Sequence, residues 1–304
     1  MSKTGAHVRV KTKKSNMPVI IAVLAAAAVI AAVLILVLKK PVDPHEGQVY
    51  INDGFGMVWM TPLEGVPAST LSSEEFTDMH GRPIYVGGEY ETKLGIDVSE
   101  HQHEIDWKKV ASDGIQFAYI RAAYRGYTQG GLFEDPYFKY NIKGALENGL
   151  DVGVYVFSQA VSVEEAIEEA NFVLELIEDY NVTLPVVFDW ERMDFADSRT
   201  VKHDAAVLND CAVAFCETVK QAGYEPAVYF NKHFGYYEFD LQRLCGYKLW
   251  LAQPDNAPDF YYAFDIWQSS FTAEVKGIDC ETDLDILFIP LPDEDTEQNE
   301  NGHD

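Results

Sequence analysis

Basic residues are scarce in this chain. Lys and Arg number 23 against 49 Asp and Glu, which leaves a formal net charge of -26. So acidic a polypeptide repels nucleic acid, and the charge reads most simply as a source of solubility. Cysteine is also rare, with Cys211, Cys216, Cys245 and Cys280 the four present. None forms a CxxC pair, which argues against a zinc ribbon. Cys211 and Cys216 lie five apart in a helical pattern and suit a mutual bridge poorly. Outside a membrane a disulfide among the four is permitted, and buried free thiols are the alternative. No GxGxxG follows a strand-like run, so the commonest reason for an open dinucleotide-binding sheet is missing. Long apolar runs are absent, with one exception.

That exception is residues 18–38, "PVIIAVLAAAAVIAAVLILVL", which carry no charge. A run of about 20 apolar residues spans a bilayer as a helix. Lys3, Arg9, Lys11, Lys13 and Lys14 precede it, and only Lys39 and Lys40 follow closely. The excess in front predicts a single-pass transmembrane helix with a cytoplasmic basic segment at 1–17 and an exported remainder. The competing reading, a cleaved signal peptide, usually has an apolar core of about 7–15 residues. Residues 39–48 read as a linker and 49–93 as a small β-rich extension, with "QVYI", "MVWM" and "PIYVGGEY" set between Gly, Pro and Ser. The acidic tail 291–304, "LPDEDTEQNENGHD", has little to bury and is expected to be disordered.

Residues 94–290 alternate. Apolar, β-branched strands are expected at "KLGIDVS", "QFAYIRAAY", "DVGVYVFS", "LPVVFDWE", "EPAVYFN", "YKLWLAQ", "AFDIWQSS" and "TDLDILFI". Helical patterns fill most of the earlier gaps, as in residues 163–180 and 205–223, where apolar residues recur every three or four positions. Eight strands with helices between the first five predict an α/β fold, a TIM-like (β/α) barrel whose short later gaps make its last part irregular. A doubly wound sheet is the alternative.

In such a barrel the chemistry sits where the strands end. "VVFDWE" finishes in two carboxylates, Asp189 and Glu191, and residues two apart on a strand share a face. Asp97 ends the first strand, and Asp283 and Asp285 lie on the last, which a closed barrel returns to the first. Clustered like charges raise at least one pKa, so one carboxyl keeps its proton while a neighbour stays ionised. Glycosidic cleavage needs that division of labour. Taken singly, a strand-end Asp is more often a cap, and an acidic cluster could instead bind Ca²⁺ or Mg²⁺. Tyr155, Phe157, Tyr229, Trp250 and Trp267 fall near strand ends; core packing is the usual role of such residues, and sugar-ring contact is the alternative. Gln253 and Gln268 can hydrogen-bond hydroxyl or acetamido groups.

The segments "GIDVSEHQHEIDW", "FAYIRAAY", "VGVYVFS", "PVVFDWE" and "IWQSS…GIDCETDLDIL" occur in an order that resembles the glycoside hydrolase family 25 lysozymes. The resemblance covers roughly residues 93–289. It implies an irregular β/α barrel that cleaves the β-1,4 bond between N-acetylmuramic acid and N-acetylglucosamine in peptidoglycan, without a cofactor or metal. It implies Glu191 as general acid, Asp189 as its partner toward the 2-acetamido group, and Asp97 and Asp283 as further active-site aspartates. Tyr155 and Trp267 match groove-lining positions; Tyr229, Trp250 and Gln268 join them as expected substrate contacts. Two departures stand out: His103 where the family pattern has Gly, and Asp285 where Asn is common.

Two other classes fit parts of the pattern. A zinc hydrolase barrel would use His101, His103, His233 and Asp283, although these histidines follow the strand ends. A membrane-tethered wall-binding module would keep the groove without turnover, but the complete acid set favours an enzyme. Expected partners are peptidoglycan strands and the membrane, with no nucleic acid; the oligomeric state is left open.

Overall fold

A computed structural model describes residues 16–38 and 43–292. The basic segment before residue 16, part of the linker and the acidic tail beyond 292 therefore lie outside the described residues. The chain divides after Gly47 into two compact units.

The first unit contains one described helix, α1 (Met17–Leu38), 22 residues long. Among the described residues, no helix is long and apolar enough to cross a membrane. The fold thus contains the expected helix, without showing the expected span.

The second unit opens with two antiparallel hairpins, β1 (Val49–Asn52) with β2 (Met57–Met60), and β3 (Phe76–Met79) with β4 (Arg82–Tyr85). There follow β5 (Tyr90–Val98), α2 (Trp107–Ser112), β6 (Phe117–Arg125), β7 (Leu132–Glu134), α3 (Phe138–Glu147) and β8 (Asp151–Ser158). Next come α4 (Val163–Ile177), β9 (Val186–Trp190), α5 (Ala205–Gln221) and β10 (Pro226–Asn231). The chain ends in α6 (Lys232–Tyr237), α7 (Leu241–Leu244), β11 (Lys248–Ala252), β12 (Ile266–Ala273) and β13 (Thr282–Pro290).

Eight strands close a barrel in the order β5-β13-β12-β11-β10-β9-β8-β6, and β6 returns to β5; β7 pairs on the far half of β6. Seven strands run parallel. The eighth, β13, is antiparallel to both β12 and β5. No helix separates β11 from β12 or β12 from β13, so the irregularity falls where the short gaps predict it.

Alternation sorts the strand side chains into two cores. Phe117, Tyr119, Tyr155, Val187, Ala227, Trp250 and Ile266 fill the lumen. Small residues make room for the large ones: Gly95 pairs with Phe117 and Gly153 with Tyr119, and a Cβ at either glycine would come 2.3 or 2.2 Å from the facing ring. The outward residues pack against the helices. On α5, Leu208, Cys211, Ala212, Phe215, Cys216 and Val219 form the buried stripe. Asp204 starts that helix by accepting the N–H of Ala206, and Ser162 caps α4 by accepting that of Glu165. Cys211 and Cys216 are buried free thiols, and Cys245 and Cys280 are exposed free thiols.

The two hairpins pack on the barrel as part of the same compact unit. Phe76 packs edge-on against Trp267 with ring centroids 5.4 Å apart. Arg82 bonds Asp113 at 2.5 Å, and Leu63 N–H donates to the Tyr262 hydroxyl at 3.0 Å.

Candidate active site

Seven barrel strands finish at one rim and β13 begins there. That reversal is why Asp283 and Asp285, at the start of the last strand, stand among residues from strand ends. Asp97 arrives from β5 and Asp189 from β9, and Glu191 is the first residue beyond β9. Between Asp189 and Glu191, Trp190 turns outward, donates its indole N–H to the Ala160 carbonyl at 2.9 Å and packs on His203 and Phe234. Glu191 is held from behind: Gln159 Nε2 donates to its backbone carbonyl at 2.7 Å.

The five carboxyl groups differ in exposure. Asp97, Asp189 and Asp285 are buried, Asp283 is half-buried and Glu191 is exposed on the groove. Asp97 lies within hydrogen-bond reach of both Asp283 and Asp285. Its Oδ2 accepts the Gln268 Nε2 proton at 2.6 Å, while the Tyr229 hydroxyl donates to Gln268 Oε1 at 2.8 Å. Asp285 accepts the Trp250 indole N–H at 3.0 Å. Buried charges need such partners, and there are too few donors here for every carboxyl to ionise.

The titration directions follow. Burial, then the charge of Asp285, pushes Asp97 well above the usual carboxylate range. Burial, then Asp97, raises Asp283 to about 9. Burial, then Asp283, raises Asp285. Burial, then Glu191, raises Asp189, and the Arg121 guanidinium pulls it partly back. Glu191 itself is raised by desolvation: its surface is open to the groove, yet protein surrounds much of its carboxyl. The site therefore stores protons at neutral pH, with Glu191 the member that an arriving molecule can touch.

The groove has two joined parts. An outer cleft of about 840 Å³ and a narrower cavity of about 200 Å³ share Glu191, Tyr229, Gln268 and Asp283 as walls. Asp97, Asp189, Tyr155, Phe157 and Trp250 line the inner part. Gln253, Asn231 and Lys232 line the outer part.

Of the expected contacts, Tyr155, Tyr229, Trp250 and Gln268 reach the groove, Trp250 as its nearly buried floor beneath Tyr229 and Tyr155. Trp267 does not. It points outward, fully buried under Phe76, and donates its indole N–H to the Gln253 carbonyl at 2.7 Å. The correction is geometric: Trp267 and Gln268 are neighbours on one strand, and neighbours face opposite sides. Asp285, on the same strand as Asp283, joins the cluster from below. Arg121 was missed. Its signal was an arginine inside the apolar run "FAYIRAAY", where a charge without a partner would be costly. It pairs with Asp135 at 2.7 Å and Glu100 at 3.1 Å and lines the inner cavity.

The histidines do not converge. His101 lines the inner cavity, His103 meets Tyr137 and His233 lies on the outer cleft. Among the described residues, no group of three or more His, Cys, Asp or Glu side chains could hold a metal ion. His103 has φ of 55° and ψ of -136°, a backbone conformation that explains why the related pattern carries Gly there.

Comparison with known proteins agrees with this geometry. The uncharacterized protein YegX of Escherichia coli K12 is 33% identical over 206 residues, covering 64% of this chain and 68% of that protein. The modular autolysin LytC from Streptococcus pneumoniae superposes with a TM-score of 0.58 and 25% identity over 79% of this chain, which spans only 56% of LytC. A family 25 glycosyl hydrolase from Bacillus anthracis shares the fold, with a TM-score of 0.54 and 20% identity over 75% of this chain and 98% of its own. The model of the glycosyl hydrolases family 25 matches residues 96–278, and the chain belongs to that family.

Proposed function

We propose that this chain is a lysozyme-type muramidase that cleaves the β-1,4 bond from N-acetylmuramic acid to N-acetylglucosamine in peptidoglycan. The observation that carries the reading is one groove in which exposed Glu191 and buried Asp189 lie beside the proton-sharing set Asp97, Asp283 and Asp285. Glu191, raised by desolvation, holds the proton that the leaving oxygen needs. Asp189 Oδ1 is buried without a hydrogen-bond partner among the described residues and suits the N–H of a 2-acetamido group. In this reading the acetamido oxygen attacks C1 while the C1–O bond breaks and the leaving oxygen takes the Glu191 proton. Water then adds to C1, returns a proton to Glu191 and regenerates the acetamide with retained configuration. Asp97, locked by the Tyr229–Gln268 relay, sets the shape and potential of the inner cavity.

The test is digestion of purified peptidoglycan, with fragments identified by mass and the anomer of the first product by NMR. Muropeptides ending in reducing N-acetylmuramic acid with β configuration are expected. Fragments ending in reducing N-acetylglucosamine, or released peptides alone, would remove the substrate assignment.

The anchor belongs to the same proposal. The uncharged run at 18–38 and the cations before it support an exported barrel tethered by α1, with peptidoglycan near the membrane as its substrate. Protease added to intact cells should cut the barrel while the N-terminus stays protected.

A further inference from the structure

Residues 49–60 lie outside the stretch matched by the family model, yet their hairpin reaches the outer cleft. Asn52, Gly54 and Phe55, at the β1–β2 turn, form part of its wall. Phe55 is 83% exposed, the most exposed large apolar side chain described. A loose loop would explain that, but this turn is tightly held. Asp53 is buried, and its Oδ1 accepts the backbone N–H of Phe55 at 2.9 Å and of Gly56 at 3.0 Å. Its Oδ2 accepts the Tyr237 hydroxyl proton at 2.7 Å. Gly54 supplies the φ of 100° that the turn requires. On the barrel side, the His233 ring meets Phe55 edge-on with centroids 5.0 Å apart, and Asn52 Nδ2 donates to Asp259 at 3.3 Å. The turn is thus bolted to α6, directly after the strand that carries Tyr229. Another exposed aromatic, Phe271 at 47%, lines the same cleft.

We infer that the β1–β2 turn builds an additional saccharide subsite, in which Phe55 offers its ring to the apolar face of a sugar unit remote from the scissile bond. The inference rests on the muramidase reading and names a specificity element within it. Three observations carry it: the cleft is continuous from Glu191 to Phe55, the ring stays in water on an immobilised support, and polar Asn52 stands beside it. Apolar surface held exposed and pre-ordered at the edge of a binding groove marks a ligand contact. A saccharide is favoured over a peptide stem because a flat ring with one polar neighbour matches a pyranose face and its hydroxyls. The subsite acts on long glycan strands, which reach the turn while also filling the inner cavity.

The test compares full-length protein with Phe55→Ala and Phe55→Trp on peptide-free oligomers of alternating N-acetylglucosamine and N-acetylmuramic acid. Phe55 touches little of the core, so both variants should melt with the parent. On the longest oligomers Phe55→Ala should lower kcat/KM roughly three- to tenfold, mostly through KM, the size of one lost aromatic contact. On the shortest cleaved oligomer it should match the parent, and Phe55→Trp should restore the length preference. Equal kinetics of Phe55→Ala and parent at every length would overturn the subsite while leaving the muramidase standing. So would a deficit seen only on peptide-bearing peptidoglycan, which would assign the turn to the peptide stem. If the parent cuts no oligomer but binds the long ones several times more tightly than Phe55→Ala by calorimetry, the subsite holds and the hydrolytic reading fails.

Discussion

The two ends of the barrel lumen are built on opposite terms. The lower end is filled by Phe117, Tyr119, Tyr155, Val187, Ala227, Trp250 and Ile266, with glycines placed to admit two of the rings. Burial there is favourable, about 1.5–3 kcal/mol for each large apolar side chain. The upper end crowds five carboxyl groups around one relay of donors, and every member is pushed toward its protonated form. Nothing about that arrangement favours folding at neutral pH. The comparison teaches that the packed half holds open a half whose use is chemical, and Trp250 joins the two by stacking below and donating to Asp285 above.

The largest effect should come from breaking the chemical half alone. Glu191→Gln should reduce kcat on peptidoglycan by about 10²–10⁴-fold, the usual contribution of a general acid. Its melting temperature should stay at or above the parent's, since an exposed amide replaces a crowded acid. A matching loss of activity and of stability would mean that Glu191 is structural.

Breaking the packed half should do the reverse. Gly153→Ala places a methyl group 2.2 Å from the Tyr119 ring and should destabilise by about 1–3 kcal/mol in urea unfolding. Stability at the parent's level would show that the lumen has slack.

Smaller changes sharpen the contrast through pH. Asp113, outside the barrel's rim, is raised by burial but pulled down further by Lys276 and Arg82, to about 2. Its folded pKa is below the unfolded value, so its stabilisation is present above about pH 4 and is lost as pH falls toward 2. Asp113→Asn should therefore cost about 1–2 kcal/mol at pH 7 and almost nothing near pH 2. Asp283 has the opposite sign. Raised to about 9, it binds its proton more tightly when folded, so the native state loses stability as pH climbs from about 4 through 9. Asp283→Asn should flatten that alkaline decline in thermal melts; an unchanged decline would show that Asp283 ionises freely.

The smallest change concerns a single backbone angle. His103 sits at φ 55°, which costs a side-chain-bearing residue about 1–3 kcal/mol. His103→Gly should return about 1 kcal/mol, part of the relief being offset by the freer unfolded chain. Loss of stability would locate a needed contact in the imidazole.

Most of the barrel was legible because its strands are short apolar runs separated by helical periods. The acid positions were legible because period-two spacing ties Asp189 to Glu191, and barrel closure ties Asp97 to Asp283. Strand direction was harder to read. The residues between "IWQSS" and the "TDLDIL" strand are too few for a parallel crossover, which needs a dozen or more; that signal pointed to an antiparallel β13. Trp267 was misplaced although Gln268, beside it, had already claimed the groove face. The extension stayed opaque for a different reason. Phe76 on Trp267 and Arg82 on Asp113 are contacts between residues far apart in sequence, and no local pattern encodes them.

The account rests on a protonated Glu191 beside a carboxyl-rich, mostly buried partner set. The most direct measurement is the pH dependence of kcat/KM for parent protein on soluble glycan oligomers. A bell is predicted, falling on its alkaline side with an apparent pKa above that of an ordinary glutamate, about 4.3, and this limb should disappear in the residual activity of Glu191→Gln. Activity that keeps rising through neutral pH, or an alkaline limb unchanged in that variant, would contradict it.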